Sequence, residues 1–254
     1  MKTILVADVA SPLDSLGIPT LLVLLGIWAA LLFGGFAVGP TNAEGTRRIP
    51  LWGRLGSSAT LVLAAWVWWA FSPAQVATAS LWLALGRTLG FIGDVFMAHI
   101  LPVRQPVIGG MAAFGLGHVA YSTALLSLGS LPVFAGGGGV RWAAWLAWLA
   151  FGVAGWYLVV WRRSERGLLQ RAALPYALLL ASTTGLATGL AMLAPALWPL
   201  GLGAALFLLS DLVLATQLFN GARWRLIGDV VWLTYGPGQM LIVYALMIAA
   251  NSLI

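Results

Sequence analysis

Two aspartates stand inside apolar stretches long enough to cross a membrane, Asp94 in LGFIGDVFMAHI and Asp211 in AALFLLSDLVLA. A lone carboxylate near the middle of a bilayer costs roughly 2.5–3.5 kcal/mol on insertion scales, so such residues usually face a protected cavity and serve function. Two carboxyl groups at one site can perform acid–base chemistry, or they can couple the movement of an ion to that of a solute. For each, the structural alternative is a pairing with arginine or with a tyrosine hydroxyl.

Further polar residues fall on helix faces at overlapping depth. Arg87 precedes Asp94 by seven residues, two turns along the same face. His118 and Tyr121 are three residues apart and Tyr235 and Gln239 four, so each pair also shares a face. These five are candidates for substrate binding or for supporting the aspartates, and interhelical hydrogen bonding is the competing explanation of each. Asp229 lies off the Tyr235 face close to a helix start, which predicts a cap. His99 reads as interfacial, and Trp66, Trp68 and Trp69 read as part of an aromatic belt. At Gly236-Pro237-Gly238 the proline lacks the N–H that would bond the Leu233 carbonyl, which predicts a kink beside Tyr235 and Gln239.

Several chemistries lack their residues. There is no G-x-S-x-G elbow, no H-E-x-x-H pair and no glycine-rich phosphate loop leading into a helix. With no cysteine, thiol catalysis, disulfides and Fe–S clusters are excluded. Only His99 and His118 offer imidazole, too few for a zinc site, so no metal and no other cofactor is expected.

The elements that must position these residues are transmembrane helices. The chain is 61% hydrophobic and 8% charged, with 14 Trp in 254 residues, far more apolar than a soluble domain of that length. Stretches of about 20 apolar residues, enough for a hydrocarbon core about 30 Å thick, recur throughout. They predict an all-α integral membrane protein in which residues 1–254 form one domain of eight spans: 16–38, 55–72, 77–100, 106–128, 141–161, 172–193, 197–219 and 226–250. Breaks at Gly39-Pro40, Ser72-Pro73, Leu101-Pro102, Ala194-Pro195 and Asn220-Gly221 separate them.

Arginines orient the bundle. The loops after spans one, three, five and seven carry ten: Arg47, Arg48, Arg54, Arg104, Arg162, Arg163, Arg166, Arg171, Arg223 and Arg225. The opposite side carries Lys2 and Arg141. By the positive-inside rule those four loops are cytoplasmic and both termini extracytoplasmic. The net charge of +6 is then a property of membrane topology, and no nucleic-acid partner is implied. Asp8 and Asp14 beside a single Lys2 make a poor signal-peptide head, so span one is expected to persist as a helix. Counted from the cytoplasmic helix ends, both aspartates sit roughly 9–12 Å deep at 1.5 Å per residue.

A weak internal symmetry is visible. GDVFMA around Asp94 resembles SDLVLA around Asp211, and 24 residues after each aspartate comes a polar residue of the next span, His118 and Tyr235. Two parallel repeats of four helices would produce this arrangement.

Taken in order, Gly93-Asp94, F-x-x-G-H-x-x-Y at Phe114 to Tyr121, F-x-x-S-D-x-x-L-A at Phe207 to Ala215 and T-Y-x-x-x-Q-x-L-I at Thr234 to Ile242 resemble the YhhN-like family of lysoplasmalogenases. The resemblance implies a multi-pass hydrolase of the bacterial inner (cytoplasmic) membrane. Its substrate would be an alkenyl lysophospholipid drawn from membrane lipid, cleaved at the vinyl ether bond to a fatty aldehyde and glycerophosphoethanolamine or glycerophosphocholine. The family's aspartates map to Asp94 and Asp211 as the catalytic pair. Gly236-Pro237-Gly238 and Arg87 depart from the family pattern.

Paired carboxyl groups suit that reaction. Vinyl ether hydrolysis starts with proton transfer to the alkene carbon, and water attacks the resulting oxocarbenium ion to form a hemiacetal, which collapses to aldehyde and alcohol. A carboxyl group withdrawn from water can keep its proton near neutrality, while an ionised neighbour stabilises the cation or activates water. The lipid chain would occupy an apolar tunnel, and the phosphate would lie near Arg87 or the loop arginines, placing the site in the cytoplasmic half. A proton-coupled or lipid transporter is the competing class. Removing either aspartate charge is expected to abolish hydrolysis and, by relieving the insertion cost, to raise stability.

Overall fold

The computed structural model describes residues 16–162 and 167–253. Lys2, Asp8 and Asp14, on which the reading of the N-terminus rests, lie outside the described residues, as do the loop arginines Arg163 and Arg166.

Eight long helices follow one another: α1 (Ile18–Val38) and α5 (Gly138–Trp161), α2 (Leu51–Phe71), α3 (Ala77–Met97), α4 (Pro106–Leu128), α6 (Leu168–Leu193), α7 (Trp198–Asn220) and α8 (Ile227–Leu253). No strand occurs among the described residues. In hydrocarbon every backbone polar group must be bonded within its own segment, which is why so apolar a chain resolves into helices. Among the described residues seven are both long and apolar enough to cross a membrane; α2 is the exception, since its first half carries Arg54, Ser57, Ser58 and Thr60. The chain is an all-α, multi-pass membrane protein.

Several helices begin earlier than hydropathy alone indicates. Arg54 and Arg171, expected in loops, stand in the first turns of α2 and α6, and Arg141, expected to open its span, stands in the first turn of α5. Proline helps at two of the starts: Pro50 directly precedes α2, and Pro106 opens α4 with its φ already helical. Gly221 ends α7 in the left-handed conformation that glycine adopts without steric cost. His99, exposed just past α3, adopts the same conformation at φ 57°.

The most extensive pairings join consecutive helices, α3 with α4, α5 with α6 and α7 with α8, and across the two halves α4 meets α6 as α8 meets α2. Pro237 lies inside α8, and the glycines on either side of it do not end the helix, which runs on to Leu253. Its flanking glycines serve close approach instead: a Cβ on Gly238 would stand 2.8 Å from the Gly203 carbonyl oxygen of α7, and one on Gly236 would stand 2.6 Å from the Leu32 side chain. Trp68 also departs from expectation. It is completely buried in the core, while Trp66 donates its indole N–H to Thr88 Oγ1 at 3.0 Å and Trp69 faces outward. Trp66 and Trp69, three residues apart, share a face and their rings meet at 5.4 Å, whereas Trp68 between them points to another side of the helix and cannot join their belt.

Asp229 is buried in the first turn of α8 but caps a different segment. Its Oδ2 accepts the backbone N–H of Arg48 at 2.6 Å and its Oδ1 that of Ile49 at 2.8 Å, clasping the loop that leads into α2. The same loop receives Leu226 N–H on the Gly45 carbonyl at 3.0 Å and Gly228 N–H on the Thr46 carbonyl at 2.9 Å.

Candidate active site

Asp94 sits near the C-terminal end of α3 with 4% of its surface exposed. Its Oδ2 gathers three donors from three helices. Ser58 of α2 donates its hydroxyl, Tyr235 of α8 donates its phenol at 3.0 Å, and Arg87, two turns back on α3, donates Nη2 at 3.3 Å. Arg87 is fully buried: Nη1 donates to Tyr235 Oη at 3.0 Å and Nη2 to both the hydroxyl and the carbonyl of Ser58, while Nε is buried with no hydrogen-bond partner. Gly90 makes room for the guanidinium, since a Cβ there would lie 3.0 Å from Nη1. The Tyr235 ring is fixed by edge contacts with Phe207 at 5.1 Å, Trp232 at 5.3 Å and Phe114 at 6.2 Å. The two buried charges compensate each other, and losing either partner would strand the other.

Asp211, midway along α7, is only part-buried and differs in chemistry. Its Oδ2 accepts the phenol of Tyr176 from α6, and Ser210 Oγ lies 3.5 Å from Oδ1. No ion pair to it occurs among the described residues. Each aspartate thus takes a hydroxyl from the preceding helix, 36 residues upstream for Ser58 and Asp94 and 35 upstream for Tyr176 and Asp211.

Two cavities meet at Asp211. One, about 780 Å³, is lined by Asp94, Asp211, Tyr235, Ser210 and Gln217 and carries Arg47 and Arg54 at its loop side. The other, about 800 Å³, runs between α4, α5, α6 and α7 and is apolar apart from Asp211 and Tyr176. Met97, Phe114, Asp211 and Leu214 line both. Phe114 reaches the shared wall because Gly93 has no Cβ, which would stand 2.8 Å from its ring.

Arg47 is delivered by the loop that Asp229 clasps, and Asn42 Oδ1 accepts its backbone N–H at 2.9 Å. Arg54 lies 5.8 Å from the Trp232 ring, and its Nε is buried with no hydrogen-bond partner. These two cations, and not Arg87, face the open space.

Of the residues picked out in the sequence, Asp94, Arg87 and Tyr235 form one network, and Asp211 joins Asp94 and Tyr235 on one cavity wall. His118, Tyr121 and Gln239 stand behind that wall. Tyr121 donates to Gln239 Oε1 at 2.8 Å, tying α4 to α8, and His118 Nδ1 lies 3.0 Å from Thr183 Oγ1, tying α4 to α6. The His118 ring packs 6.0 Å from that of Tyr176, and so supports the phenol that holds Asp211. Sequence reasoning missed Ser58, Tyr176 and Thr183. The repeat offset would have found the first two, because they precede their aspartates by nearly equal intervals.

Among the described residues no group of three or more His, Asp or Glu gathers as metal ligands would. A comparison with protein-family models matches residues 55–246 to the YhhN family. No curated protein and no solved structure matches the chain.

Proposed function

The chain belongs to the YhhN family, and we propose on that premise that it is a lysoplasmalogenase-like hydrolase of the vinyl ether bond of alkenyl lysophospholipids. The observation that carries this reading is the place of Asp211, on the wall shared by an arginine-bearing cavity and an apolar one. A lysolipid with its phosphate by Arg47 and Arg54 and its chain in the apolar cavity would present the bond between them at this wall.

The two aspartates divide the work. Asp211, with a phenol on Oδ2 and no cation beside it, carries the transferable proton on Oδ1 and gives it to the alkene carbon. The π pair forms the new C–H bond and leaves an oxocarbenium ion. Asp94, held as a carboxylate by Arg87, stabilises that cation across the cavity. Water adds to the cationic carbon and loses a proton to the regenerated Asp211 carboxylate. The hemiacetal then breaks its C–O bond to the glycerol oxygen, which takes the proton from Asp211 while the hemiacetal hydroxyl gives up its own to that carboxylate, so aldehyde leaves and the acid is restored. By the distribution of loop arginines the site lies in the cytoplasmic half of a bacterial inner membrane, with both termini outside.

The test is mass spectrometry of lipid products. Purified protein given an alkenyl lysolipid is expected to release fatty aldehyde, whereas accumulation of intact lipid in sealed vesicles would favour a transporter. Arg47→Gln and Arg54→Gln are each expected to raise KM about tenfold with kcat within about threefold, because they remove a headgroup contact made equally in ground and transition states. An unchanged KM in both would remove the phosphate from that end of the cavity. Chelators are expected to leave the rate unchanged, and activity lost to a chelator and restored by one metal would overturn the purely carboxyl mechanism.

A further inference from the structure

The apolar cavity has a thin side facing the membrane. On the outside of the bundle a groove between α5 and α7 is lined by Phe151, Gly155, Leu158, Val159, Leu212 and Thr216 and runs to Trp224, beyond the end of α7. Four of these residues, Phe151, Gly155, Val159 and Leu212, also line the inner cavity that contains Asp211. One layer of side chains therefore separates the groove from the cavity. At its centre is Gly155, where a Cβ would stand 3.1 Å from Leu212 Cδ2. Immediately after it α5 widens into a π-helical segment, Trp156–Trp161, a local expansion that often marks functional sites in helices. Two contacts brace this segment: Trp156 donates its indole N–H to the Gln170 carbonyl at 3.1 Å, and its ring lies 5.1 Å from that of Trp161.

We propose that the Gly155–Leu212 seam is a lateral doorway through which the hydrocarbon chain of a single-chain lipid passes from the bilayer into the cavity that Asp211 lines. The proposal rests on the reading of the site as one for lysolipids. The occupant follows from the surroundings. Phe151 and Leu158 are half-exposed on a surface that lipid covers, so what meets the seam is hydrocarbon. The groove reaches Trp224, in the loop between α7 and α8, while Arg47 and Arg54 line the loop side of the adjoining cavity. A chain could thus slide sideways while its headgroup stays at the interface. With only one layer of side chains to part, the seam suits one chain rather than two.

The chain has no cysteine, so Leu158→Cys introduces a single thiol at the groove side of the seam, on a residue that does not line the inner cavity. Its reaction with benzyl methanethiosulfonate places a ring in the seam as a mixed disulfide, which reductant removes. Uptake of radiolabelled lysolipid from vesicles and aldehyde release are then measured on the same protein, modified and reduced. Modification is expected to slow uptake and turnover of a long-chain substrate at least tenfold, to leave turnover of a short-chain, water-soluble alkenyl substrate within twofold, and to be reversed by reductant. Long-chain uptake unchanged by modification would overturn the doorway, as would equal loss on both substrates. If Leu158→Cys does not fold, Val213→Cys puts the thiol on the opposite jamb, also outside the inner cavity. Uptake without any aldehyde release, even by the unmodified protein, would refute the hydrolase reading while still scoring the doorway.

Discussion

Asp211→Asn is expected to lower turnover by roughly 10²–10⁴-fold, the range a positioned acid contributes, while the purified protein unfolds at or above the wild-type temperature. The amide has no proton it can donate at this step. Its oxygen still accepts the Tyr176 phenol, so the tie between α6 and α7 survives. No cation is stranded, because Asp211 has no ion-pair partner among the described residues. Aldehyde release per mole of protein and thermal unfolding in detergent check both halves of the statement. Turnover within a few-fold of wild type would show that the proton comes from elsewhere.

For Asp94 the structure reverses the stability expected from the sequence. A carboxylate considered alone should relieve its insertion cost when neutralised, but Asp94 is the counter-ion of a completely buried Arg87. Asp94→Asn therefore leaves an uncompensated cation, and it is expected to destabilise the protein by about 3–5 kcal/mol as well as to abolish hydrolysis. Arg87→Met alone should destabilise comparably by stranding the carboxylate. The double variant removes both charges and should recover most of the lost stability while remaining inactive, a coupling that a double-mutant cycle in thermal or denaturant unfolding measures directly. An Asp94→Asn protein as stable as wild type would mean that the pair does not govern the fold.

The sequence alone carried the class, the helices and both aspartates. Membrane insertion makes a charge in an apolar run conspicuous, so Asp94, Asp211 and Arg87 stand out by cost, and Arg87 and Asp94 share a face by helical period. The motif order at Gly93, Phe114, Phe207 and Thr234 pointed to the family that the match over residues 55–246 shows. Other assignments needed the fold. A serine or tyrosine in a transmembrane helix costs too little to stand out by itself, so Ser58 and Tyr176 are marked in the sequence only by their matching intervals, and it is packing that turns α2 and α6 towards their aspartates. The same holds for direction: Arg87 turns inward to Asp94 while Arg47 and Arg54 face the cavity, and Asp229 clasps a loop 180 residues away instead of its own helix. Periodicity gives the face on which a residue lies but not the neighbour that face meets. That is decided by helix rotation and tilt, which are set by contacts such as Gly203 with Gly238 and Gly93 with Phe114 and which no single segment contains.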